Sequence, residues 1–177
     1  MPVTLIGYRG CGKSTVGPLL AERLGWAFVD ADEQIERRAG RSVQEIFTND
    51  GEPEFRRLER VVMSELLSQE RTVIAAGGGA ILDADTRSDL RRSGPVVWLR
   101  AGVETLVGRI AGDPSTGSRR PDLTVDGGRE EIDQLLSQRT PLYSACATHV
   151  VDSDGDPADV VEQILAGIAE DVGGMPT

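Results

Sequence analysis

Five short, nearly uninterrupted apolar runs punctuate the chain: Val3-Thr4-Leu5-Ile6, Trp26-Ala27-Phe28-Val29, Thr72-Val73-Ile74-Ala75-Ala76, Pro95-Val96-Val97-Trp98-Leu99 and His149-Val150-Val151. Runs this short, rich in β-branched residues and without polar alternation, predict strands that are buried on both faces. Between them the pattern predicts helices over residues 14–24, 32–39, 42–49, 52–70, 83–93, 103–110, 128–146 and 157–171. Strands alternating with helices predict a doubly wound α/β fold, a parallel sheet covered on both sides. In such a sheet ligands gather beyond the carboxyl ends of the strands, so the residues that follow each run are the ones to read for chemistry.

The first run leads into Gly7-Tyr8-Arg9-Gly10-Cys11-Gly12-Lys13-Ser14-Thr15, which matches the pattern G-x-x-x-x-G-K-[ST] between a strand and a helix. Gly7 and Gly12 allow the backbone to turn with positive φ and to approach an anion closely, so that successive N–H groups and the helix N-terminus converge on a phosphate. Lys13 then supplies a positive charge for the β- and γ-phosphates, and the Ser14 hydroxyl is a hard oxygen donor for Mg²⁺. Gly10, Cys11 and Thr15 complete the expected ATP-binding loop. Lys13 is the sole lysine of the chain; every other cationic side chain is arginine.

After the second run comes Asp30-Ala31-Asp32, two carboxylates at i and i+2. On a strand end they project to one side, which suits one to Mg²⁺ and the other to a substrate hydroxyl; capping of the next helix is the competing role. The helix over residues 52–70 carries Glu54-Phe55-Arg56-Arg57-Leu58-Glu59-Arg60, where pairs such as Glu52 with Arg56 fit a solvated face and Arg57 and Arg60 are read that way. The third run ends in Gly77-Gly78-Gly79, a costly stretch that points to close approach of backbone and ligand. Residues 112–124 read as a lid loop, with Arg119 and Arg120 at its far end placed to meet phosphates and Pro121 fixing the direction of exit.

Composition narrows the partners. The 177 residues suit one domain, and a net charge of −10 argues against nucleic acid or an anionic membrane surface as the main partner. Cys11 and Cys146 lack metal-like spacing, and neither a signal peptide nor a membrane-length apolar run is evident. A reduced, cytoplasmic setting is therefore expected.

Taken in order, the phosphate loop, Asp30-Ala31-Asp32, Phe55-Arg56-x-x-Glu59, Gly77-Gly78-Gly79, Arg120-Pro121 and Arg139-Thr140-Pro141-Leu142-Tyr143 resemble the motifs of the shikimate kinase family over nearly the whole chain. The resemblance implies a nucleoside monophosphate kinase type of fold with five parallel strands, a shikimate-binding helical segment at 32–70 and a lid. It implies transfer of the ATP γ-phosphoryl group to the 3-hydroxyl of shikimate by a monomer. By position, Asp32, Arg56, Gly77, Gly78, Gly79 and Arg139 would hold shikimate. Ser14 and Asp30 would serve Mg²⁺, and Arg120 would reach the phosphates. Arg109 and Pro157 would border the adenine. Lys13, Asp32 and Arg120 would be catalytic.

Elementary chemistry agrees with these implications. Shikimate carries one carboxylate and three hydroxyls, so its site needs planar cationic donors, here Arg56 and Arg139, and an acceptor for the reacting hydroxyl, here Asp32. Phosphoryl transfer rests on positioning and charge neutralisation, so the sole histidine, His149, is expected simply to open the last strand. Two departures stand out: Ala75 occupies a position where the family usually has Ser or Thr, and the adenine loop at 151–157 is about one residue short. Among rivals, a gluconate-type kinase would share fold and phosphate loop without needing Arg56 and Arg139, and a non-catalytic nucleotide-binding scaffold would share both as well. A GTPase switch needs a second lysine, for its Asn-Lys-x-Asp motif, which this chain lacks.

Overall fold

A computed structural model describes residues 1–112 and 128–173. Its elements run β1 (Val3–Ile6), α1 (Lys13–Leu24), β2 (Ala27–Asp30), α2 (Ala31–Ala39), α3 (Val43–Leu66), β3 (Thr72–Ala75), α4 (Ala84–Ser93), β4 (Val96–Arg100), α5 (Val103–Gly112), α6 (Gly128–Cys146), β5 (His149–Asp152) and α7 (Pro157–Ile168). The strands form a five-stranded sheet in the order β2-β3-β1-β4-β5, parallel at every pairing. This is the doubly wound arrangement that the apolar runs predict.

The pleat sorts side chains of the inner strands onto two cores. Val3, Leu5, Val97 and Leu99 face the layer that holds Val16 and Leu20 of α1, Leu106 of α5 and Ile164 of α7. Ile6, Ile74, Val96 and Trp98 face the opposite layer, with Ile35 of α2, Phe55 and Met63 of α3, Leu90 of α4 and Tyr143 of α6. Burying each such Leu, Ile or Phe stabilises the fold by about 1.5–3 kcal/mol, which is why β1 and β3, buried at all four positions, occupy inner places. The edge strands β2 and β5 are more exposed.

Adjacent strands β1 and β3 send their following helices, α1 and α4, to opposite faces, so a crevice opens at their carboxyl ends. The two helices expected at 42–49 and 52–70 are joined end to end as α3 across a break at Gly51, whose φ of 82° and ψ of 172° are non-helical. Pro53, just beyond, is tolerated because it lies in the first turn of the second segment. A Ser42–Glu45 capping box starts the first segment, with Glu45 N–H donating to Ser42 Oγ at 3.1 Å and Ser42 N–H to Glu45 Oε2 at 2.8 Å. The helix ends at Leu66, short of the expected residue 70.

Candidate active site

The crevice is a cleft of about 610 Å³ lined by all of residues 9–16, by Asp30 and Asp32, by Ala76, Gly77 and Gly78, and by Arg109, Ser153, Gly155, Pro157 and Val160. Segments far apart in sequence thus meet where the sheet topology requires. The phosphate loop forms its floor. Gly7 sits at φ 144°, and a Cβ there would lie 2.5 Å from the Leu99 carbonyl oxygen, so only glycine lets β1 turn into the loop at this point. Gly12, at φ 101°, caps α1 without any side-chain hydrogen bond, which leaves the helix N-terminus facing the cleft. The Lys13 ammonium lies within the loop, donating to the Gly7 carbonyl at 2.8 Å and the Tyr8 carbonyl at 3.1 Å, with the Cys11 sulfur 3.5 Å away.

Asp30 takes the capping role and also stands at the cleft. Its Oδ1 accepts from the N–H groups of Asp32 at 2.9 Å and Glu33 at 3.3 Å, capping α2, while the residue also lines the cleft. Burial pushes the Asp30 carboxyl above its ordinary value and the Asp32 carboxylate adds to this, whereas the N–H groups of Glu33 and Asp32 pull it down. Asp32, in the first turn of α2, enters the same cleft. Among the described residues no group of three or more His, Cys, Asp or Glu is assembled for a metal. Ser14, Asp30 and Asp32 are nevertheless hard oxygen donors around one cleft, a set that fits a Mg²⁺ ion held largely by water and substrate phosphate.

The other expected substrate residues stand beside the cleft lining and converge through the glycines. A Cβ on Gly79 would lie 2.5 Å from Arg56 Nη1 and 2.6 Å from Nη2, so the guanidinium is packed directly against that glycine. Arg139, on α6, donates to the Gly78 carbonyl at 3.4 Å and lies over the Tyr8 ring with Cζ 5.5 Å from its centroid. Arg56 also donates to the buried Glu59 at 2.6 Å and, through Nε and Nη2, to Glu52 at 3.2 and 3.1 Å. Burial works against its charge, but Glu59 and Glu52 outweigh this and hold its pKa above the ordinary value.

At the opposite end Arg109 donates to the Gly10 carbonyl at 3.3 Å and the Ser153 carbonyl at 2.8 Å, tying the phosphate loop to the loop before α7. Pro157 borders the same end, and Ala75 is buried within β3. Arg57 bonds Glu54 on its own exposed face at 2.7–2.8 Å, as expected, whereas Arg60 reaches across to Asp89 of α4 at 2.6 Å and so links two helices. His149 opens β5, its Nδ1 2.8 Å from Thr148 Oγ1. Arg120 and the rest of the expected lid beyond Gly112 lie outside the described residues.

The sequence reading did not single out Arg9 in the cleft lining or Tyr143 behind it, and it reached Ser153 and Gly155 only as part of the loop 152–157 expected at the adenine. Arg9 stands inside the phosphate-loop motif at a variable position, so only its place in that motif pointed to it. Ser153 and Gly155 carry no residue-type signature of their own.

A family model described as shikimate kinase matches residues 9–169. A shikimate kinase of Rhodopirellula baltica is 41% identical over 170 residues, covering 96% of this chain and 91% of that protein. The solved structure of a shikimate kinase from Acinetobacter baumannii in complex with shikimate superposes with a TM-score of 0.89 at 38% identity, covering 96% of this chain and 93% of that one. A gluconokinase from Sinorhizobium meliloti reaches a TM-score of 0.59 at 23% identity over 96% of this chain and 91% of that one, a likeness of fold alone.

Proposed function

The chain belongs to the shikimate kinase family, and from that premise we infer that it transfers the γ-phosphoryl group of ATP to the 3-hydroxyl of shikimate. The products are shikimate 3-phosphate and ADP, on the route to chorismate and the aromatic amino acids. The observation that carries this reading is the single cleft in which the phosphate loop faces Asp32 and the glycine loop, with Arg56 and Arg139 anchored on successive glycines at its side.

In this reading the backbone N–H groups of residues 10–15 and the α1 N-terminus hold the phosphate chain, and Lys13 neutralises charge on the β- and γ-oxygens. Arg56 and Arg139 grip the shikimate carboxylate as planar forks, supported by the peptide groups of Gly77, Gly78 and Gly79. Glu59, buried beneath Arg56, keeps that fork charged and oriented. Asp32 accepts the hydrogen of the reacting hydroxyl and orients its oxygen toward the phosphorus. Ser14 and Asp30 would hold Mg²⁺, directly or through water, and that ion would supply charge neutralisation between phosphate oxygens. Arg109 and Pro157 flank the adenine, and Arg120 closes over the phosphates from a lid at 112–124, excluding water that competes with the alcohol.

The protein is read as a cytoplasmic monomer, one kinase domain with α2 and α3 as its shikimate-binding segment. Cys11 and Cys146 are both buried as free thiols, which suits a reducing compartment. Among the described residues no helix is long and apolar enough to cross a membrane.

The test is ADP release with shikimate, gluconate and nucleoside monophosphates offered as separate acceptors. Shikimate should dominate; a higher kcat/KM for any other acceptor would overturn the reading. A gluconate-type kinase, the nearest rival, has no evident use for Arg56 and Arg139 held against consecutive glycines.

A further inference from the structure

Tyr143 has no part in the roles assigned above, yet its side chain is fully buried on the cleft side of α6. A hydroxyl inside an apolar core destabilises the fold unless it is hydrogen-bonded, so its partner is informative. That partner is the Gly78 carbonyl, to which Tyr143 donates at 2.7 Å. Arg139, one helical turn earlier, donates to the same oxygen at 3.4 Å. One face of α6 therefore grips a single carbonyl of the glycine loop. The Tyr143 ring is itself fixed by stacking on Trp98 of β4, with centroids 5.7 Å apart and planes 24° from parallel.

Gly78 is confined from the other side as well. A Cβ there would stand 3.5 Å from the Arg9 backbone nitrogen and from the Gly7 carbonyl oxygen, and 3.9 Å from the Tyr143 hydroxyl. The residue is thus seated between the phosphate loop and α6. In a trans peptide the carbonyl of one residue and the N–H of the next point in opposite directions, and among the described residues there is no cis peptide. With the Gly78 carbonyl fixed on α6, the Gly79 N–H is turned away from α6, at the residue against which Arg56 packs.

We propose that Tyr143 is a positioning residue of the acceptor site: its hydroxyl, by fixing the Gly78 carbonyl, sets the 78–79 peptide relative to the phosphate loop and Arg56. The proposal rests on the acceptor site described under the proposed function. Burial pushes the Tyr143 phenol well above its ordinary value, so the group remains a donor throughout the range in which a kinase is assayed. It adds no ionisation of its own to the pH profile.

Tyr143→Phe keeps the ring and its stack on Trp98 and removes the hydroxyl. The shikimate KM should rise about tenfold, the scale of leaving a buried carbonyl without its main donor, while the KM for ATP changes less than about twofold. Trp98→Phe, which disturbs the stack but not the hydroxyl, should lower Tm without that selective effect. An unchanged shikimate KM, or equal rises in both KM values with a fall in Tm, overturns the proposal in favour of a purely structural tyrosine. Arg139→Ala run in parallel separates the two levels. Loss of shikimate affinity there beside a normal Tyr143→Phe refutes the positioning role alone, whereas normal affinity in both refutes the acceptor site. Should Tyr143→Phe not fold, wild-type protein carrying 3-fluorotyrosine gives the answer, its two resonances being assigned with Tyr8→Phe. Saturating shikimate should move the Tyr143 resonance, and an unmoved resonance overturns the proposal.

Discussion

Adding one methyl group to Gly79 should disable the acceptor site while sparing the fold. The backbone there has φ −104° and ψ 0°, which alanine tolerates, so no dihedral strain follows from the change. The new Cβ would sit 2.5 Å from Arg56 Nη1, 2.6 Å from Nη2 and 2.9 Å from Cζ. An ordinary contact is about 3.5 Å, so the guanidinium must retreat by about 1 Å. The side chain is flexible, but it is held by Glu59 at 2.6 Å and Glu52 at 3.1 Å, and a shift of that size breaks at least one of these bonds. A charge-assisted hydrogen bond displaced by 1 Å is lost, and its loss costs about 1.5–3 kcal/mol. The same displacement denies the substrate carboxylate one charge-assisted bond from that fork, a loss of similar size that corresponds to a rise in shikimate KM of about 10- to 150-fold. Nucleotide binding involves none of these groups and should be unaffected. Stability should fall by about 0.5–2.5 kcal/mol, the lost pairing less the about 0.4–1 kcal/mol by which alanine restricts the unfolded chain, so the fold is retained. The assay is coupled ADP release with shikimate varied at saturating MgATP, repeated with the two reversed, beside thermal melts. A normal shikimate KM in folded Gly79→Ala would refute the placement of Arg56 in the acceptor site.

Three further outcomes follow from the same geometry. Lys13→Met should lower turnover by about 100-fold or more with the fold retained, and a lysine-directed reagent should modify Lys13 slowly under saturating MgATP; an unchanged labelling rate would count against the phosphate loop. Asp30 ionises less readily folded than unfolded, so stability is lost as pH rises from its unfolded value near 3.8 through the raised folded value and stays lost above it. Asp30→Asn keeps the cap on α2 and removes that penalty: Tm at pH 7 should match or exceed wild type, the advantage should vanish in acid, and Mg²⁺-supported turnover should fall about tenfold or more, with a lower Tm at pH 7 counting against the assigned cause. Arg120→Ala should reduce kcat by at least about 100-fold and Arg119→Ala far less; equal, small effects would remove support for a catalytic arginine in the lid.

Much of the fold was legible because its information is local. The five apolar runs became the five strands within a residue at each end; burial on both faces demands the near-continuous hydrophobicity of β1, β3 and β4, and β-branched and aromatic residues marked the edge strands β2 and β5. The break in α3 was legible too, because Gly51 and Pro53 act on the backbone whatever surrounds them. Arg60 shows the limit: its helical spacing fits a solvated face, and only the packing of α4 beside α3 brings Asp89 within 2.6 Å. Tyr143 is a second case, as a tyrosine near the end of an amphipathic helix carries no mark of the carbonyl that it meets 65 residues earlier in the chain.

The phosphate loop was legible in the sequence alone: nine consecutive residues, 7–15, whose glycine dihedrals and helix start shape an anion cradle within one segment. Tertiary structure decided the rest of the site. Periodicity names strands but not their order, and it is the order β2-β3-β1-β4-β5 that brings Asp30, Gly78 and Arg109 to the same cleft as Lys13. That order follows from how right-handed crossovers bury one helix face after another, a property of the whole chain's packing and not of any single segment.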